Sequence, residues 1–441
     1  MVMLSPRDEE VVRLTDKEVE CTFLEFPQDT FFMEAMAINE GYKQGLVGVV
    51  PVLRNVNGKK EGHIYEISAP LNNETDNEGG SSKHDQPKHL CGPVKTMDGD
   101  AANTLFGCAL TSKGILYICV WNKNLVIRLD LNSNSAEEAC CATMEIPVAC
   151  PNDVSIDPNN EDILYTAGGQ EGRFGIVNNA SYGRVTKVVV DPVNNTFQKS
   201  IVKEGLTTLA GIEVIGDTII VAALQDLMFI GKNPPHVTTK VWDGDDGKGN
   251  CWLADNVCVF NNNQEQKPYW LCPAYNSVST SLTSLMKLRN IMCCLGCVGQ
   301  VASAVLYEGK RDLGGIVKAM SDPEVDVSLN WTYVDESKPP APIRFMIGEC
   351  SSTDTDVDGK HFEIDLVETR KACPPWMVND AKSGSLLGMR YHFCEQVTHM
   401  SQMKNKDGMG FITCINFQQP RIMFMKDTVF QKQISKLEGT C

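Results

Sequence analysis

The sequence predicts an all-β chain in which one small sheet recurs six times around a closed ring. Three observations carry that expectation. Short runs of β-branched and aromatic residues come in pairs closed by Gly, Asn or Asp, the signature of strands and hairpins. The pairs repeat every ~45–60 residues, near the ~40–50 of propeller blades. No sustained 3.6-residue apolar period competes with them. A blade cannot cover both of its faces alone, so blades pack radially and close on themselves. The expected architecture is a six-bladed β-propeller with loop insertions.

The six units follow in order. Phe32-Met-Glu-Ala-Met-Ala-Ile with His63-Ile-Tyr-Glu-Ile forms the first. Gly114-Ile-Leu-Tyr-Ile-Cys-Val turns at Trp121-Asn-Lys-Asn into Leu125-Val-Ile-Arg-Leu-Asp-Leu as the second. Asp162-Ile-Leu-Tyr-Thr with Gly183-Arg-Val-Thr-Lys-Val-Val-Val-Asp makes the third, and Gly216-Asp-Thr-Ile-Ile-Val-Ala-Ala with Leu227-Met-Phe-Ile the fourth. Pro268-Tyr-Trp-Leu-Cys-Pro marks the fifth, and Gly410-Phe-Ile-Thr-Cys-Ile with Arg421-Ile-Met-Phe-Met the sixth. Residues 1–30 read as an N-terminal extension, 31–430 as the propeller and 431–441 as a C-terminal tail. Polar, Asn/Gly/Ser-rich residues 71–95 and the Pro-rich, acidic stretch 308–380 read as insertions, and 243–250 as an acidic Gly loop. Long insertions gather at one face, where they can roof a central pocket.

Composition excludes several classes of partner. The 441 residues carry 40 Lys+Arg against 56 Asp+Glu, a net charge of −16. That balance argues against nucleic acid or an anionic membrane surface. It suits a metal or a cationic partner, alongside a small-molecule substrate. No apolar stretch reaches the ~18–20 residues of a membrane span. The nearest, 291–307, is broken by Gln300 and Ser303 and reads as buried core. The 18 cysteines include the doublet Cys140-Cys141 and the cluster Cys293, Cys294, Cys297. Cys294 and Cys297 make a C-x-x-C with no second pair, which disfavours zinc. A few disulfides plus buried thiols is the plainer expectation. Sequons stand at Asn73, Asn179, Asn194 and Asn330. The N-terminus shows no apolar signal region, so the compartment is secreted or lumenal if a leader was removed and cytoplasmic otherwise. Oligomeric state is open.

Polar residues recur just before the strand that would line the ring axis: Glu34, Pro151-Asn152-Asp153 and Ala254-Asp255-Asn256. Carboxylates and carboxamides converging there would supply the oxygens that Ca²⁺ takes, ~6–8 at ~2.3–2.6 Å. The competing explanation is that these Asn and Asp residues merely cap turns.

Pro151-Asn-Asp-Val-Ser-Ile-Asp-Pro, Gly183-Arg-Val and Ala254-Asp-Asn-Val resemble the six-bladed superfamily of regucalcin/gluconolactonase, paraoxonase and strictosidine synthase. The resemblance is diffuse and runs from about Phe32 to Lys426, weakest over 300–380. It implies a catalytic Ca²⁺ on the axis, held at Glu34, Asn152, Asp255 and Asn256. It further implies a hydrolase acting on lactones or related esters, with Ca²⁺ as Lewis acid and Asp255 as candidate base.

The departures are specific. Ala210 stands where the family usually has an Asn ligand, and Ala35 where paraoxonase-like members have an acidic residue for a second calcium. Asp153 is present without that partner. Residues 91–235 contain no histidine, which disfavours a histidine-based esterase mechanism. The alternatives are a strictosidine-synthase-like, non-hydrolytic condensing enzyme using Glu395, or a catalytically silent ligand-binding propeller. The plainer reading of Glu395 is a solvated edge carboxylate.

One further motif, Asp354-Thr-Asp-Val-Asp-Gly-Lys-His-Phe-Glu-Ile-Asp365, matches a D-x-D-x-D-G calcium loop. It fits equally a hairpin turning at Asp358-Gly359 into a strand. No phosphate loop, G-x-S-x-G elbow or H-E-x-x-H helix occurs. The six tryptophans read as core or pocket wall.

Overall fold

The computed structural model describes residues 12–15, 21–27, 29–71, 86–169, 183–206, 209–223, 226–243, 252–261, 268–276, 327–331, 343–350, 361–367, 376–380, 397–416 and 421–437. They form a six-bladed β-propeller. The first blade runs outward through Thr30–Met33, Val47–Val56, Lys59–Ser68 and Lys88–Cys91. The second comprises Leu105–Leu110, Ile115–Val120, Leu125–Asp130 and Met144–Pro147. Asp153–Asp157, Asn160–Gly168, Gly183–Asp191 and Thr196–Leu206 make the third. Gly211–Ile215, Thr218–Ala223, Asp226–Gly231 and Thr238–Asp243 make the fourth. In the fifth the inner edge is split: Trp252–Ala254 and Cys258–Asn261 both pair with Pro268–Asn276, followed by Ile343–Glu349 and His361–Val367. Val397–Lys404, Gly410–Asn416 and Arg421–Lys426 build the sixth.

The core shows why the ring closes. Ile219, Val221 and Ala223 of one strand pack on the third blade, while Ile220 and Ala222 of the same strand pack on the fifth. Successive side chains point to opposite faces, so a strand buried on both sides reads as a continuous apolar run. The remaining clusters join the first blade to the second and third, the fifth to the sixth, and the sixth back to the first. The apolar contacts therefore run right around the ring.

Several boundaries differ from those read in the sequence. Thr22–Glu25, inside the expected extension, pairs antiparallel with Arg421–Lys426 and supplies the outer strand of the sixth blade. Val12–Thr15 adds a parallel strand outside His361–Val367. Ile343–Glu349 and His361–Val367, inside the expected insertion 308–380, are blade strands, as is Lys88–Cys91 inside 71–95. The helix Thr428–Leu437 occupies much of the expected tail; Phe430 packs against Phe345 and Phe260 at centroid distances of 6.0 and 6.4 Å. Thr22–Glu25 and Val12–Thr15 are only four residues long, and pairing with distant strands places them.

Val327–Trp331 pairs with Trp376–Asp380 to form a separate two-stranded sheet. The two strands belong to different connections, one within the fifth blade and one leading to the sixth. Both connections leave from the end of the ring at which the inner strands begin. Cys91, Cys108, Cys119, Cys140, Cys141, Cys150, Cys258, Cys272 and Cys414 are free thiols, so the disulfides expected from composition are not found among these residues. Buried apolar surroundings explain most of them: burial pushes the Cys91 thiol up to about 12. Cys293, Cys294, Cys297 and the span from Asp354 to Lys360 lie outside the described residues, while His361–Val367 is a strand.

Candidate functional site at the ring axis

The polar residues singled out above sit at the start of the third inner strand and in the breaks of the first and fifth inner edges, where Ala37 and Cys258 resume the pairing. Glu34 follows the first inner strand and is buried. Asn152 precedes the third, its backbone N–H donating to the Ala167 carbonyl at 2.8 Å and its carbonyl accepting from Gly107 at 2.8 Å. Asp255 and Asn256 occupy the break in the fifth inner edge, where the Asp255 N–H donates to Pro273 at 3.1 Å. That break lets two consecutive polar residues leave the ladder without unpairing the whole strand. Ala210 of the fourth blade offers no side-chain donor, and Ala35 is core. Glu395 lies outside the described residues.

Backbone approach draws the blades together here. A Cβ on Gly211 would stand 2.5 Å from Asn256 Cα and 2.8 Å from its Oδ1. On Gly107 it would stand 2.0 Å from Asp153 Oδ1. Asp153 then spans two blades: Oδ1 accepts from Val154 N at 2.8 Å and Oδ2 from Ile212 N, in the fourth blade, at 3.0 Å.

Electrostatics make the cluster unusual. Burial, then the nearby Asp255 and Asp153 carboxylates, push Glu34 well above the ordinary carboxylate range. Burial lifts Asp255 to about 7, against one backbone hydrogen bond. It lifts Asp153 to about 8, although the Ile212 and Val154 amides oppose it. Carboxylates gathered in low dielectric repel one another unless protonated or neutralised by a cation. Among the described residues no lysine or arginine is paired to Asp153 or Asp255.

The donor set fits a hard divalent cation. Asn152 Oδ1 and Asn256 Oδ1 are buried with no hydrogen-bond partner among the described residues. An orphaned buried amide oxygen is costly, and a cation would satisfy both. No three His, Cys, Asp or Glu side chains among the described residues gather closely enough to hold a metal by themselves. Any ion here therefore draws on the carboxamides as well as Glu34 and Asp255, an all-oxygen set of the kind calcium takes.

A cavity of about 840 Å³ extends along the inner strands, away from this cluster. Its wall takes residues from all six blades, and Asp153 belongs to both places. Glu34, Asn152, Asp255 and Asn256 do not line it. Deeper polar residues do: Ser155 Oγ donates to Glu213 Oε1 at 2.8 Å, linking the third and fourth blades. Burial raises Glu213 to about 7. His399 Nε2 lies 2.9 Å from Ser401 Oγ, and burial lowers this imidazole to about 4, so it is neutral at pH 7. Sequence reasoning passed over Ser155, Glu213 and His399. The available signal was the two-residue period, which puts Ser155 on the face of Asp153 and Glu213 on that of Gly211.

No protein-family model and no curated protein sequence matches the chain. Among solved structures, the AfRom2 CNH domain aligns with a TM-score of 0.35 and 9% identity, over 92% of this chain and 99% of that one. A streptogramin B lyase structure aligns with a TM-score of 0.38 and 9% identity, over 92% and 97%. Likenesses this remote carry no conclusion about activity. The chain is a six-bladed propeller on the strength of its own sheet order and its ring of interblade cores.

Proposed function

We propose that the protein is a divalent-cation-dependent hydrolase of lactones or related esters. The observation that supports it is the buried axial cluster, in which carboxylates crowd together beside orphaned amide oxygens. Glu34, Asn152, Asn256 and Asp255 would hold the ion, and Ca²⁺ suits their oxygens. When bound, the cation supplies Lewis acidity toward a carbonyl oxygen. Asn152, on the third blade, has both backbone groups in hydrogen bonds, and Asn256, in the fifth, packs closely against Gly211, so both carboxamides stand on fixed backbone. Asp255 takes the proton of the attacking water. Burial raises its carboxyl to about 7, and a base works best when its pKa lies near the operating pH. A neighbouring cation pulls that value down, so the two effects oppose each other.

The test is metal analysis of the purified protein, then rates on a panel of γ- and δ-lactones and aryl esters before and after chelation. Activity that falls on chelation, returns with calcium and is lost in Asp255→Ala supports the assignment. Equal rates for Asp255→Ala and the parent would sink it.

A further inference from the structure

We propose that the axial cavity beyond Asp153 is a second ligand site, distinct from the cation cluster, and that it takes a small organic cation with an apolar body. Its volume of about 840 Å³ falls in the ~300–1,000 Å³ range of small-molecule sites. Ile38, Leu110, Val214 and Val259 give it apolar wall from four blades. Its ionisable lining is mostly acidic: Glu40, Asp157, Glu161 and Glu213 against Lys404 among the described residues, apart from Asp153, which the cation cluster shares.

These carboxylates are not equivalent. Asp157 is paired with Lys232 at 2.9 Å. Asp153 is held by two amides. Glu161 takes the Ser112 amide and hydroxyl and the Asn39 side chain. Glu213 faces a hydroxyl and the Val214 amide but no cation among the described residues. His399 is neutral and adds no positive charge. A concave, low-dielectric wall of one sign concentrates counter-ions, and apolar sides around a carboxylate select an ammonium group carried on a hydrocarbon over a bare hydrated ion. Glu213 is the residue that would receive it.

The experiment is calorimetric titration of the full chain, at saturating calcium, with benzylamine, benzyltrimethylammonium and uncharged benzyl alcohol. The two cations should bind and the alcohol at least tenfold more weakly. Glu213→Gln, which keeps the shape and the bond from Ser155, should weaken the cations tenfold or more and leave the alcohol unchanged. Val259→Trp, or Ile38→Trp if the first does not fold, should weaken all three by filling the space. Equal binding of cation and alcohol, insensitivity to these substitutions, or no binding of any probe overturns the proposal. So does displacement of benzylamine by calcium, because the two sites would then be one. Since calcium and lactone turnover are measured separately, this site can fail while the axial cluster stands, and the reverse.

Discussion

Replacing Gly211 with Ala probes the axial site without touching a proposed ligand. The new Cβ would lie 2.5 Å from Asn256 Cα, 2.8 Å from its Oδ1 and 2.9 Å from Val257 N. Two of those neighbours are backbone, so no rotamer change relieves the overlap. The inner edge of the fifth blade has to move by several tenths of an ångström. Overpacking of this kind costs ~1–3 kcal/mol. Alanine for glycine in an extended strand returns ~0.4–1 kcal/mol by restricting the unfolded chain. The net expectation is a loss of about 1–2 kcal/mol. Because Asn256 is displaced with the strand, calcium affinity should fall together with stability. Urea denaturation with and without calcium, and calcium titration calorimetry, read the two effects. Gly231→Ala is the control: its Cβ would meet nothing closer than 3.6 Å, so its stability should stay within ~0.5 kcal/mol of the parent. If Gly211→Ala matches the parent in both stability and calcium affinity, the close approach of the fourth and fifth blades does not organise the site.

Other outcomes follow from the same geometry. Calcium at a hundred times its Kd should stabilise the protein by ~2.7 kcal/mol, seen as a melting shift that chelator abolishes; no shift would separate the cluster from any cation. His399 gives a pH dependence of defined sign, because its folded value is about 4 and its unfolded value ~6.5. Above pH ~6.5 both states are neutral and its contribution is constant. As pH falls from ~6.5 toward ~4 only the unfolded chain takes up the proton, so up to about 3 kcal/mol is lost. His399→Gln should remove that component from the difference between urea curves at pH 7.5 and 4.5. Deleting residues 1–25 strips the outer strand from the sixth blade and bares an edge that invites association. Gel filtration should then show aggregation, and a well-behaved monomer would contradict the closure.

The six sheets were legible along the chain because blade strands are buried on both faces. Thr218–Ala223 is a continuous apolar run for that reason, and Gly216 and Asp217 announce its turn. Asn152 stands directly before an inner-edge strand and Asp255-Asn256 in a break of another, positions that the sequence marks only by polar residues beside apolar runs. The strand that completes the sixth blade was not legible. Thr22–Glu25 is four residues long with an exposed Glu25, and its partner lies some 400 positions away. His361–Val367 was legible as a strand following Asp358-Gly359, but not its place beside Ile343–Glu349 in the fifth blade. Nor could Ser155 and Glu213, 58 positions apart, be matched before the third and fourth blades were set side by side. Apolar periodicity is a local property and survives in one dimension. Which edge meets which, and which carboxylates crowd one spot, depend on how the blades close around the axis.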